Sequence, residues 1–226
     1  MELEKVSNID NLYWLTTERR REELGTKNKT PGRTFYGERR TWVNGCELRI
    51  WNPYRSKIAA AIHRRAPISI RKTDEILYLG AATGTTLSHI SDINTEGITY
   101  AVEVSPTSAS RLLTLCEARE NIIPMLEDAE KPRDYQGIIG EVDIIYQDIA
   151  QRNQAEIALK NTELFLKEKG ELILTIKARS IDVSSNPRDV LRRELERLEE
   201  RVMISHIKSL KPYHRDHYIT IARVKD

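Results

Sequence analysis

The sequence predicts an α/β protein, a mostly parallel, doubly wound sheet that ends in an antiparallel hairpin and follows a small β-rich region. Three observations carry this reading. After Lys72, short apolar runs of strand character alternate with helical stretches, the pattern of βαβ units. The last two runs, at 202–210 and 217–224, are only six residues apart, enough for a hairpin but short of the dozen or so that a parallel crossover needs. Before Pro53 there are only short β-like runs, broken by turn material such as Lys27-Asn28-Lys29-Thr30-Pro31-Gly32.

Taken in order, the amino-terminal runs include residues 11–16 and 47–51. At Pro53 the period changes. Tyr54, Ile58, Ala61 and Ile62 fall at helical spacing, and proline suits a first helical turn. A domain boundary is therefore expected here, with a small β-rich domain over 1–52 and a larger one over 53–226. Lys57 shares the apolar side of this helix, where a lysine stem ordinarily lies along apolar surface with its ammonium in water. Strands are expected at 75–79, 98–104, 121–126, 142–147 and 171–177. A later helix is clearly punctuated: Asn186 as cap, Pro187 at the first position, Asp189 in the first turn, and Leu191, Leu195, Leu198 and Val202 as the buried stripe.

Composition narrows the class. With 226 residues, 39% hydrophobic and 31% charged, the chain can bury a core and is no candidate for wholesale disorder. Its apolar runs are far shorter than the roughly 18 residues of a membrane helix, and Met1 leads into Glu2 and Glu4 rather than a signal peptide. No membrane association and a cytoplasmic location are the expectation. Cys46 and Cys116 are isolated, which argues against a disulfide framework and a cysteine-based metal site. The net charge of +2 hides an asymmetry: residues 1–72 hold 16 Lys and Arg against 8 Asp and Glu, the remaining 154 hold 20 against 26. A basic surface of this kind fits a polyanionic partner and, equally, a solvated charged face with none.

Chemistry concentrates at the ends of the expected strands. The first strand of the α/β part runs into Gly80-Ala81-Ala82-Thr83-Gly84-Thr85-Thr86 and then a helix near Leu87, a turn whose small residues let a ligand approach backbone amides. Neither the three-glycine dinucleotide fingerprint nor a Walker lysine is present. Glu103 ends the next strand, 19 residues after Gly84, where a carboxylate can accept both hydroxyls of a ribose. Asp128 follows the third strand, Asp148 the fourth, Lys177 closes the fifth and His217 opens the last. Four successive polar positions at strand ends would line one crevice.

Here the chain resembles the fibrillarin family of guide-RNA-directed 2′-O-methyltransferases, in its archaeal form without a Gly/Arg-rich extension. The likeness rests on Tyr78-Leu79-Gly80-Ala81-Ala82-Thr83-Gly84-Thr85-Thr86, Tyr100-Ala101-Val102-Glu103, Asn121-Ile122-Ile123-Pro124, Asp128-Ala129, Gln147-Asp148-Ile149-Ala150-Gln151, Ile176-Lys177-Ala178-Arg179 and Pro212-Tyr213-His214-Arg215-Asp216-His217. It implies a class I methyltransferase (Rossmann-like) fold with a seven-stranded sheet, and S-adenosylmethionine as cofactor. It implies a cofactor site of Gly80, Ala81, Gly84, Thr85, Thr86, Glu103, Val104, Asp128, Ala129, Asp148, Ile149, Ala150 and Gln151. Within it Glu103 would meet the ribose diol, Asp128 and Ala129 the adenine, and Asp148 to Gln151 the sulfonium side. Val104 stands where an aromatic residue is frequent, and Thr83 where serine is. The catalytic set implied is Lys57, Asp148, Lys177 and His217, with His214 and His206 as competitors for the histidine role and no metal.

The partners implied are a box C/D guide RNA, target rRNA and tRNA, a Nop-domain scaffold protein and a kink-turn-binding ribosomal-type protein. Two other functions compete with this one: a non-catalytic RNA-binding scaffold subunit, and a methyltransferase acting on protein at a glutamine amide. Intact catalytic-type positions argue against the first, and the lysine-rich set favours a hydroxyl acceptor over the second.

Overall fold

The computed structural model describes residues 2–16 and 22–225; Met1, residues 17–21 and Asp226, which the two expected domains include, lie outside the described residues. The amino-terminal part is a five-stranded antiparallel sheet of β1 (Glu2–Lys5), β2 (Leu12–Thr16), β3 (Glu22–Lys27), β4 (Arg40–Val43) and β5 (Cys46–Trp51), in the order β1-β2-β3-β5-β4. The β4–β5 hairpin turns on Asn44 and Gly45, both at positive φ, a pair that matches the right-handed strand twist.

The larger sheet has seven strands: β6 (Ile76–Leu79), β7 (Thr99–Val102), β8 (Ile122–Met125), β9 (Val142–Gln147), β10 (Leu166–Lys177), β11 (Val202–Ser209) and β12 (His217–Val224). Their order is β11-β12-β10-β9-β6-β7-β8. Strands β6 to β10 are parallel, and β12 runs antiparallel to both β10 and β11. The chain builds outward from β6 through β7 to β8, then returns to place β9 on the other side. The order therefore reverses between β6 and β9, where open sheets form a crevice at the carboxyl ends of their strands. Helices α1 (Lys57–His63), α2 (Thr85–Ile93), α3 (Pro106–Cys116), α4 (Gln154–Phe165), α5 (Ala178–Ile181) and α6 (Pro187–Leu198) complete the fold. No helix among the described residues is long and apolar enough to cross a membrane.

Two apolar layers fill the two faces of the large sheet. One is continuous with the first sheet: Leu12, Trp14, Leu24 and Trp51 share a core with Ile58, Ile62, Ile90 and Tyr146. A buried polar network closes the same junction. Arg49 of β5 donates through Nε to Glu38 (2.6 Å) and through Nη1 to Asp92 of α2 (2.8 Å), and Arg119 reaches the other oxygen of Asp92 at 2.6 Å. Thr26 gives its one hydroxyl proton to Asp92 (2.7 Å), so it can only accept from His89 Nδ1 (2.8 Å). The Nε2 of His89 is then the acceptor for Tyr36 OH (2.5 Å). Burial holds His89 well below the ordinary imidazole value, and Arg49 and Arg119 add to the effect.

Three sequence expectations change. The first helix begins at Lys57, not in the turn at Pro53, because Asn52 folds 52–55 into a tight turn: its side chain accepts from Tyr54 N–H (2.9 Å) and its carbonyl from Arg55 N–H (3.0 Å). Ser56 is the cap, its Oγ accepting from Ala59 N–H, and Tyr54 is left exposed instead of facing the core. On α6 the fully buried residues are Val190, Glu194 and Leu198, with Leu191 and Leu195 partly buried, whereas Val202 belongs to β11. Glu194 is drawn inward because its carboxylate accepts from Ala155 N–H in the first turn of α4 (3.0 Å) and from Arg197 (2.9 Å). Finally, β10 starts five residues earlier than expected, at Leu166, across an irregular register with β9 between Leu166 and Glu171.

Removing Arg49 would take its guanidinium partner from buried Glu38 and leave Asp92 to Arg119 and Thr26. Arg49→Met is expected to destabilise the protein by about 3–5 kcal/mol, read as a lower denaturant midpoint at unchanged slope.

Candidate active site

The crevice at the reversal point is built from strand ends. Leaving β6, Gly80 donates its N–H to Val102 O (2.9 Å) and takes φ of +85°. A Cβ there would stand 2.8 Å from Asp148 O and 2.9 Å from Ile149, so only glycine lets the segment after β9 lie against this turn. Ala82 is held at φ of +51° while its N–H donates to Glu103 Oε2 (2.8 Å). The other Glu103 oxygen accepts from Ser105 N–H (2.9 Å), so two backbone donors orient this buried carboxylate. Asp128, after β8, accepts from Glu130 N–H (3.0 Å).

Together these strand ends enclose a cleft of about 410 Å³. Of the residues expected from sequence, Gly80, Glu103, Val104, Asp128, Ala129, Asp148, Ile149, Ala150, Gln151 and Lys177 line it. Val104 is 57% exposed at its rim. Ala81, Gly84, Thr85 and Thr86 do not line it. Ala81 is buried, and Gly84 turns the chain into α2 at φ of +87°, where a Cβ would stand 2.8 Å from Leu115. Thr86 is buried too, and it donates to Ser56 Oγ (3.0 Å), tying the start of α2 to the start of α1.

Beside the cleft, Asp148 gathers two ammonium groups. Lys177 Nζ is 2.7 Å from Oδ1 and Lys57 Nζ 3.1 Å from Oδ2. Lys177 also donates to the Asp148 carbonyl (2.9 Å), and Tyr146 OH donates to Oδ2 (3.4 Å). Lys57 is thus the first residue of α1 and paired, not a side chain reaching to bulk water. Burial pulls the Lys177 ammonium below its ordinary value; Asp148 opposes this and Lys57 reinforces it.

His217 is the cross-strand partner of Lys177 in the β10–β12 ladder. Its Nδ1 lies 2.7 Å from Arg215 O, and since a carbonyl only accepts, Nδ1 carries a proton and Nε2 is the variable nitrogen. Burial lowers its basicity; the Arg215 carbonyl opposes this, and Lys57 and Lys177 add to it. His214 donates through Nε2 to Pro53 O (2.9 Å), which commits it to joining two loops. His206 lies mid-strand in β11 opposite Ile221, back from the rim.

Sequence reasoning missed four supports. Ser56 was legible as a cap before an apolar helical run. Ala82 carried no signal, since an alanine at positive φ is not readable from sequence. Tyr146 looks like any strand aromatic. Gln154 is a buried amide that accepts from Lys177 N–H (2.9 Å) while donating to Gln151 O (2.8 Å), locking the end of β10 to the segment after β9.

Gly80→Ala is expected to lower stability by about 1–3 kcal/mol, through strain at positive φ and overpacking, seen as a lower thermal midpoint; Gly137→Ala, in open space, leaves it unchanged.

Comparison with known proteins agrees with this geometry. The family model Fibrillarin matches residues 3–226. The fibrillarin-like rRNA/tRNA 2′-O-methyltransferase of Methanosarcina barkeri is 47% identical over 209 residues, covering 91% of this chain and 92% of the relative. The crystal structure of Aeropyrum pernix fibrillarin with natively bound S-adenosyl-L-methionine superposes with a TM-score of 0.89 at 40% identity, covering 98% of each chain. A fibrillarin in complex with Nop5p gives 0.87 at 46% identity, covering 95% of this chain and 98% of that one. A seven-stranded class I methyltransferase sheet, a glycine turn packed against the Asp148 segment and sequence likeness along nearly the whole length lead to one conclusion: this chain belongs to the fibrillarin family.

Proposed function

We propose that the protein methylates the ribose 2′-hydroxyl of rRNA and tRNA with S-adenosylmethionine, as the catalytic subunit of a cytoplasmic box C/D ribonucleoprotein. The observation that carries this reading is the pair of lysine ammonium groups on one largely buried carboxylate at the mouth of the cleft. The residues fit the cofactor. Gly80 keeps the floor free of a Cβ, Glu103 presents a carboxylate whose free lone pairs suit a ribose diol, and Asp128 with Ala129 suits an adenine edge. When bound, S-adenosylmethionine supplies an electrophilic methyl on a sulfonium with an excellent leaving group.

The weak participant is the hydroxyl, and the chain's own residues act on it. Asp148 holds Lys177 Nζ by an ion pair through its carboxylate and a hydrogen bond to its carbonyl. As the neutral amine, Lys177 keeps its hydrogen bond to the Asp148 carbonyl and turns its lone pair to the hydroxyl proton; burial favours this form. Lys57 Nζ lies beside the same carboxylate and stabilises the oxygen as negative charge develops on it. His217, opposite Lys177, completes the hydrogen-bonded rim.

Site selection belongs to partners. A basic amino-terminal third supports RNA contact by charge, and base pairing with the guide RNA specifies the nucleotide. The Nop5p complex of a relative supports a Nop-domain scaffold protein for this chain, and a kink-turn-binding ribosomal-type protein completes the assembly.

Lys177→Met is expected to bind S-adenosylhomocysteine normally and to lose roughly 10²–10⁴-fold in single-turnover methylation, read as loss of the alkali-resistant linkage next to the target ribose. In the wild type the rate should rise with pH, as the neutral amine forms, and level off above a pKa depressed below that of free lysine. Glu103→Ala is expected to weaken S-adenosylhomocysteine binding by roughly 10- to 100-fold in calorimetry.

A further inference from the structure

The sheet layer beneath the ion triad carries three hydroxyl groups. Side chains along a strand alternate between faces, so the residue two positions before a rim residue lies beneath it. Beneath Lys177 at the end of β10 that residue is Thr175, and beneath Gly80 after β6 it is Tyr78. Asp148 extends the β9 ladder by donating its N–H to Leu79 O (2.9 Å), and beneath it lies Tyr146. Tyr78 and Tyr146 are partners in the β6–β9 register, with ring centroids 4.6 Å apart. All three residues are buried, and the two tyrosines share an apolar core with Ile58, Leu87, Ile173 and Ile219.

Tyr146 is the member of this layer that bonds the triad. Its hydroxyl lies 3.4 Å from Asp148 Oδ2, and since a carboxylate only accepts, the phenol is the donor. Burial, and then the charge of Asp148, push this phenol well above its ordinary value, so it keeps its proton through the neutral and mildly alkaline range. Phenylalanine would fill the same apolar space with no polar group to bury. Packing alone therefore gives no reason for the hydroxyl.

The contact has a chemical consequence for the lysines. Lys177 Nζ faces Oδ1 at 2.7 Å, whereas Lys57 Nζ at 3.1 Å and the Tyr146 hydroxyl both face Oδ2. An aspartate carboxylate turns about a broad, roughly two-fold torsion, and a donor from beneath fixes which oxygen meets which lysine. The negative charge is delocalised over both oxygens, so a hydrogen bond at Oδ2 also weakens the field that Oδ1 presents to Lys177. A weaker field holds the ammonium proton less firmly. The other charged or titratable groups facing Lys177 are Lys57 from α1 and His217 from β12, and neither bonds the phenol among the described residues.

We propose that Tyr146 is a positioning residue for methyl transfer: its hydroxyl fixes the Asp148 carboxylate from beneath and loosens that carboxylate's hold on the Lys177 proton. The neutral amine is then available to the 2′-hydroxyl at lower pH. The inference rests on the ribose-methylating function with Lys177 as its base, and it adds the group that sets the working range of that base.

Tyr146→Phe removes the hydroxyl and keeps the ring, and two measurements read the effect. In the full chain with 13C-labelled lysine, the Lys177 side-chain resonance, identified by its loss in Lys177→Met, should titrate roughly 0.3–1 pH unit higher in the variant than in the wild type. In the assembly with guide RNA and partner proteins, the pH midpoint of single-turnover methylation should rise by the same amount. The rate below the midpoint then falls roughly 2- to 10-fold, while the alkaline plateau and S-adenosylhomocysteine affinity stay within about twofold of the wild type. A Lys177 titration that stays in place or moves down would overturn the role while leaving ribose methylation standing. A rate lowered equally at every pH would overturn it too, as the mark of a packing defect. A wild-type assembly that methylates no ribose would remove the function and with it any part for Tyr146 in the reaction, even if the lysine titration shifts.

Discussion

One carboxylate with two ammonium groups on it organises the functional end of this molecule. Asp148 follows β9, Lys177 closes β10 and Lys57 opens α1, so the ion triad binds together three elements far apart in sequence. Burying an unpaired carboxylate is costly, and burying two ammonium groups without it would be as unfavourable. The triad therefore persists only because all three members arrive together, and its arrival requires the strand order to reverse between β6 and β9. Much around it acts in support: Gly80 makes room for the Asp148 segment, Gln154 locks β10 to it, and Tyr146 donates from below.

Lys57 reaches that carboxylate from the other side of the molecule, and the route is physical. Ser56 caps α1 and receives a hydrogen bond from Thr86 of α2, so the helix that follows the glycine turn also fixes the residue before Lys57. Helix α2 is in turn clamped to the first sheet by Asp92, Arg49, Arg119 and Thr26. The amino-terminal sheet thus does more than carry basic charge. Its buried guanidinium groups set where α2 lies, and α2 helps set where α1 begins.

The strand ends were legible in the sequence because alternating βαβ units leave a strong periodic pattern, and because a polar residue immediately after a buried strand lies at the rim where open sheets bind ligands. Glu103, Asp128, Asp148 and Lys177 were found in that way, and they line one cleft. Gly84, Thr85 and Thr86 were expected beside them on the strength of the same motif, yet they do not line it; Gly84 and Thr86 serve the packing of α2 instead. A glycine that turns a chain and a glycine that makes room for a ligand look identical as letters. Tyr54 failed for a related reason: helical spacing placed it on an apolar face, while Asn52 competes locally for the backbone and unwinds that turn.

By itself the sequence determined what depends on local chemistry and period: the class of sheet, the antiparallel closing hairpin, the cap of α6 and the polar residues at strand ends, since hydrophobic alternation and turn residues act over a few positions. Tertiary structure alone decided which of those polar groups meet. The convergence of Lys57 and Lys177 on Asp148, the alanine at positive φ that orients Glu103, and the buried arginines that clamp the first sheet to α2 all depend on contacts between distant segments. Such contacts form because buried charges and amides must find partners wherever the fold brings them, and no local pattern encodes that requirement.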